Sequence, residues 1–176
     1  MGQRFIMTAF GPDRPGIAAD VTEILYENGC NLEETSMTLL AGEFTLILLF
    51  SAGSMTVEGP LSKACRRLEQ ENGVSAFFRP VEPRETKKAN GFFSKVIHVE
   101  GMDQAGIVYK VSRFLADNQI NIVDLQSTVK ASPESGTAIY MMDIRVQIPE
   151  NAAMEAVAQG LADVADDLSV DITFTQ

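Results

Sequence analysis

Asp13, Gly16 and Asn31 recur as Asp103, Gly106 and Asn121, with the same eighteen-residue step from aspartate to asparagine in each copy. These residue types suit a small charged ligand. A carboxylate beside a helix start can accept from an ammonium group. Glycine, lacking a Cβ, lets a ligand approach the backbone closely. The first amides of a helix have no intrahelical partner and, with the positive helix end, favour an anion. An asparagine amide donates to a carboxylate and accepts from an amine at once. The set fits a molecule that carries both groups, a free α-amino acid.

The stretch around the first set is Gly11-Pro-Asp-Arg-Pro-Gly-Ile17, and around the second Gly101-Met-Asp-Gln-Ala-Gly-Ile107. Identity continues without a gap through Val21/Val111, Leu25/Leu115, Asn28/Asn118, Asn31/Asn121 and Thr38/Thr128. Nine positions of 28 match, where ordinary composition gives roughly two. One unit used twice explains this, although a shared need for a tight strand-to-helix turn would account for part of it.

The elements that position these residues follow from periodicity. Arg4 to Phe10 alternates as a strand with Phe5, Met7 and Ala9 on one face. After the turn, Asp13 is expected as the helix N-cap and Pro15 in the first helical turn. The helix runs to Asn28 with Ile17, Val21, Ile24, Leu25 and Tyr26 on its apolar stripe. Asn31–Leu40 and Phe44–Ser51 read as strands about an Ala41-Gly42 turn, and the nearly all-apolar second one as a strand buried from both sides. Gly53 to Pro60 reads as a loop. A helix carrying Leu61, Ala64, Cys65 and Leu68 ends at Asn72-Gly73, and Val74–Val81 is a fourth strand. The second unit repeats the order: strand 93–99, helix 104–118 with Ile107, Val111, Phe114 and Leu115 inward, strands 122–130 and 137–148, helix 151–168, strand 170–175. Strand, helix, strand, strand, helix, strand is the split βαβ, ferredoxin-like order. The expected fold is α+β: two domains, 1–82 and 92–176, each a four-stranded antiparallel sheet with helices on one face, joined by a polar linker, 83–91. Asn31 and Asn121 are expected to return to the same edge of the sheet as the turns. The domains are expected to pair through sheet edges or faces, so that a turn faces a partner domain.

The chain has 176 residues and a formal net charge of −10, with basic residues scattered apart from Arg66-Arg67 and Lys87-Lys88. An acidic chain without a basic stripe lacks the footprint of direct nucleic-acid binding. No apolar run reaches membrane-spanning length and no signal-peptide pattern opens the chain, so a cytoplasmic protein is expected. Cys30 and Cys65 fall on apolar positions and read as buried reduced thiols. His98 reads as a satisfied strand histidine, and one histidine with two scattered thiols makes no zinc site. No nucleophile elbow, metal spacing or phosphate loop points to catalysis. Asp13 with Glu33 or Glu34 could form a carboxylate pair, though nothing in the sequence fixes their separation. The expectation is therefore no enzyme, no cofactor and no metal.

Asp13-Arg-Pro-Gly-Ile17 followed by Gly29-Cys-Asn31-Leu32 resembles an ACT domain, the amino-acid-sensing regulatory module. Asp103-Gln-Ala-Gly-Ile107 with Gln119-Ile-Asn121-Ile122 resembles a second, in which Gln104 and Ala105 replace Arg14 and Pro15. Two ACT domains without a catalytic domain resemble the glycine cleavage system transcriptional repressor family. The resemblance implies amino-acid binding, glycine being the ligand the family suggests, through Asp13, Arg14, Gly16, Ile17, Asn31 and Leu32. In the second copy it implies Asp103, Gln104, Gly106, Ile107, Asn121 and Ile122. It also implies a homodimer that acts on a protein partner, such as a transcriptional activator, rather than on DNA. The alternative is a non-sensing structural or regulatory subunit of a separate amino-acid-metabolic enzyme.

Overall fold

The computed structural model of the chain describes residues 2–53, 57–82, 91–133 and 135–175. The chain divides into two compact units, Met1–Glu85 and Thr86–Gln176. Residues 83–90 of the expected linker lie outside the described residues.

The first unit runs β1 (Gln3–Pro12), α1 (Ile17–Glu27), β2 (Asn31–Leu40), β3 (Glu43–Ala52), α2 (Glu58–Asn72) and β4 (Ser75–Pro80). Its sheet has the order β2-β3-β1-β4, with every neighbouring pair antiparallel. The second unit runs β5 (Phe92–Met102), α3 (Ile107–Asp117), β6 (Asn121–Ala131), β7 (Ala138–Pro149), α4 (Met154–Leu168) and β8 (Val170–Thr175), in the order β6-β7-β5-β8. This is the ferredoxin-like arrangement expected from the element order.

Each core lies between one sheet face and its helices. In the first unit Phe5, Met7 and Ala9 of β1 pack with Phe44, Leu46, Leu48 and Phe50 of β3 under the α1 stripe Ile17, Val21, Ile24 and Leu25. The Phe5 and Phe50 rings stack at 5.5 Å. In the second, Ile97 and Val99 pack with Met142, Ile144 and Val146 under Ile107, Val111 and Leu115, with Phe114 partly buried against them.

Three expectations are corrected. β3 lies inside the sheet but is covered on one face only: Phe44, Leu46, Leu48 and Phe50 are buried while Ile47 is 43% exposed. Both helices sit on the same side, so a nearly all-apolar strand still has one face that they leave uncovered. Tyr26 leaves the apolar stripe and is 84% exposed, because the stripe reaches its limit at Ile24 and Leu25. α2 opens at Glu58 inside the expected loop, of which residues 54–56 lie outside the described residues.

Candidate functional site

The turn between β1 and α1 is built differently from a capped helix start. Asp13 and Pro15 do not occupy the expected cap and first-turn places. The Asp13 backbone N–H still donates to Gly42 O at 2.9 Å, extending the sheet, and the helix starts only at Ile17. Gly16 is the N-cap residue, at φ 91° and ψ −9°, with no side-chain cap bond. Gly106 does the same at φ 101°. This left-handed step swings the chain from strand into helix, and glycine adopts it at least cost. Gly11 and Gly101 are fixed by close approach. A Cβ on Gly11 would meet Gly73 O at 2.9 Å, and one on Gly101 would meet Val170 Cγ1 at 2.6 Å.

Most of the repeated residues thus have a local structural duty in both copies. Ile17/Ile107, Val21/Val111 and Leu25/Leu115 are buried. The Asn28 amide donates back to Ile24 O at 2.7 Å, and Asn118 to Phe114 O at 2.9 Å, closing their helices. The Asp13 and Asp103 carboxylates and the Asn31 amide differ. They are exposed, and no hydrogen bond or ion pair holds them among the described residues. Asn121 makes one long contact, to Gln147 Oε1 at 3.4 Å.

The two turns part company at their second residue. The Arg14 guanidinium pairs with Asp20 in the first turn of α1 and reaches Pro15 O at 3.3 Å. A carboxylate six residues after a turn arginine is a signal the sequence reading passed over. Gln104 instead donates to the Leu168 carbonyl at the end of α4, fastening the second turn to its own unit. In α1 the first intrahelical bond is Asp20 N–H to Gly16 O, and Ile17 N–H is taken by Arg14 O. The N–H groups of Ala18 and Ala19 have no intrahelical partner. Among the other expected residues, Ile17 and Ile107 are core and Ile122 packs against its core. Gly16, Gly106 and Leu32 are exposed.

The register overturns the expectation that Asn31 returns to the turn within a unit. Asn31 pairs with Ser51, which pairs with Arg4, whereas Pro12 pairs with Glu43. Eight residues of β3, about 26 Å, separate the two levels. β1 and β2 both run antiparallel to β3, so they are parallel, and α1 carries the chain back before β2 begins. Asn121, opposite Gln147, stands at the same far end from Met102, opposite Ile139. The imagined pair of Asp13 with Glu33 or Glu34 fails for the same reason: Glu34 lies opposite Leu49, Glu33 sits in the bulge beside it, and Arg4 takes Glu33 at 2.7 Å.

His98 lies on β5. Its Nδ1 lies 2.7 Å from Asp143 and its Nε2 3.4 Å from Glu100. The Asp143 hydrogen bond, opposed by partial burial and aided by Glu100, holds the imidazole pKa above its ordinary value. Cys65 is buried and Cys30 half-buried rather than buried; both are free thiols, and burial raises both pKa values. Among the described residues no three His, Cys, Asp or Glu side chains are grouped to hold a metal, and no helix is long and apolar enough to cross a membrane.

Comparison with known proteins gives a consistent relationship. The ACT domain model matches twice, over residues 3–79 and 95–175. The glycine cleavage system transcriptional repressor of Escherichia coli is 25% identical over 167 residues, covering 93% of this chain and 85% of the relative. A UPF0237 protein of Methanopyrus kandleri is 33% identical over 72 residues, 40% of this chain and 80% of its own. A crystal structure of a Galdieria sulphuraria protein of unknown function superposes with TM-score 0.80 at 28% identity, covering 99% of this chain and 98% of that one.

Proposed function

The chain belongs to the ACT-domain family and carries the domain twice, and from this premise we propose an amino-acid-responsive regulatory protein whose ligand sits between the Asp13 turn of one domain and the Asn31 strand start of a neighbouring domain in a homodimer. One observation carries the reading. The exposed side chains repeated without a local structural duty are Asp13, Asn31 and Thr38, and of these the two charged or amide groups, Asp13 and Asn31, stand at opposite ends of one sheet. A molecule the size of an amino acid cannot touch both in one unit. Antiparallel pairing of two exposed β2 edges brings the asparagine of one domain to the turn of the other. All ten residues of β2 are exposed, and such an edge invites pairing.

In this site the Ala18 and Ala19 amides and the Arg14 guanidinium receive the ligand carboxylate. Asp13 receives the ammonium group, Asn31 bridges both, and Gly16 keeps the approach open. Glycine is the ligand suggested by the name of the Escherichia coli relative, and regulation of the glycine cleavage system the suggested setting. A net charge of −10 argues for action through a protein, such as a transcriptional activator, rather than through DNA. The Gln104 bond to Leu168 favours a second reading for the second turn alone, a structural role without sensing.

Two assays test the regulatory half. A gel shift with promoter DNA at low salt is expected to show no retardation. Co-purification with a candidate activator is expected to change in yield when the amino acid is added. Sequence-selective retardation, or a yield indifferent to the amino acid, contradicts the reading.

A further inference from the structure

The two sheets share a topology but differ on the face turned away from their helices. In the first unit that face presents Phe10, Ile47 and Phe77, 45%, 43% and 60% exposed, with the rings of Phe10 and Phe77 edge-on at 6.5 Å. The register places Glu100, Asp143 and Thr173 at the equivalent positions of the second unit. The fold does not impose the apolar choice, since its repeat does without it. Three exposed apolar side chains clustered on one face, two of them in ring contact, are a patch that a second surface can cover.

The charges at its rim indicate what covers it. Glu34 on the edge strand β2 and Arg79 on the opposite edge strand β4 lie at one level of the sheet, with Leu49 and Ile6 between them. Neither Glu34 nor Arg79 has an ion-pair partner among the described residues. A two-fold axis parallel to the strands, between two such faces, lays β2 of one copy over β4 of the other without shifting the rows. Glu34 then meets Arg79 of the second copy at both rims, and Ile6 meets Leu49 between them. A self-complementary patch of this sort is what a two-fold interface requires. Aligned sheets pack about 10 Å apart at about −30°, within reach of these side chains.

We propose that the outer face of the first sheet binds the same face of a second copy of the chain, closed at each rim by a Glu34–Arg79 pair. Strands of six to ten residues, about 20 to 30 Å long, and four strands about 4.8 Å apart make a small interface. The association is therefore reversible and concentration-dependent. The face is distinct from the β2 edge used in the ligand reading, and both can be occupied at once.

Sedimentation velocity of the full chain over a range of concentrations tests this. Wild type shows a concentration-dependent association step beyond any dimer that edge pairing forms. Glu34→Arg and Arg79→Glu each weaken that association by about tenfold, since a rim attraction becomes a repulsion, and the double reversal restores it. Ile47→Glu, which places a charge on an inner strand in the middle of the face, removes that step. Circular dichroism checks folding, and all three positions are exposed. Arg79 lies on the edge away from β2, so rescue by the double reversal cannot come from edge pairing, and a failed ligand site leaves this result untouched. A wild type that stays monomeric, or stops at an edge-paired dimer, overturns the proposal and leaves the face to a different partner. Association indifferent to the substitutions, or single effects that the double variant does not restore, also overturns it.

Discussion

At single residues, the turn glycines and the histidine carry the sharpest consequences. Gly16 sits at φ 91°, a backbone region costly for residues with a Cβ. Gly16→Ala is expected to cost about 1 to 2 kcal/mol, read as a lowered urea midpoint; an unchanged midpoint would show that the turn relaxes freely. The His98 pKa is raised chiefly by Asp143. A group with a raised folded-state pKa gives stability that is fully present below its unfolded value, about 6.5, and lost as pH rises through the folded value. Wild type should therefore gain stability relative to His98→Gln as pH falls from about 8 to 6. An NMR titration of the imidazole placing its pKa at or below 6.5 contradicts this. Residue identity in the sequence was enough to single out Asp13 and Asn31, but not to place them. Asp13 before a helix looks like a cap, and only the hydrogen bond from its N–H to Gly42 shows that it still belongs to the sheet.

Among the elements, β3 is the informative strand. Its composition is nearly uniform, yet Leu48 is fully buried while Ile47 is half-exposed. Leu48→Ala is expected to cost about 2 to 5 kcal/mol through a core cavity, and Ile47→Ala less than about 1 kcal/mol. Urea unfolding at low protein concentration checks the contrast, and equal costs would contradict the one-sided burial. The strands and helices themselves were legible: β2 spans Asn31–Leu40 and β8 spans Val170–Thr175, as the alternation indicates. Which face of β3 is wet was not, because apolar residues stand on both faces. The far-end position of Asn31 follows from the element order once α1 is seen as a return path. Its eleven residues, about 16 Å, run antiparallel to β1 before β2 starts.

For the whole molecule, the repeat accounts for most of what the two units share, and the turns differ at their second residue. The first turn offers Arg14 and an exposed carboxylate, while the second is tied down by Gln104. On the proposed reading, ligand binding changes how the domain meets another surface, and it can shift that balance only as far as it prefers one arrangement. The most direct measurement is calorimetric titration of the full chain with a panel of free amino acids, repeated on Asp13→Ala and Asn31→Ala. Saturable binding of at least one amino acid is expected in wild type, weakened about 10- to 150-fold in each variant by loss of one hydrogen bond to a charged group, with circular dichroism unchanged. Absence of binding across the panel, or variants that bind as tightly as wild type, would contradict the proposed site.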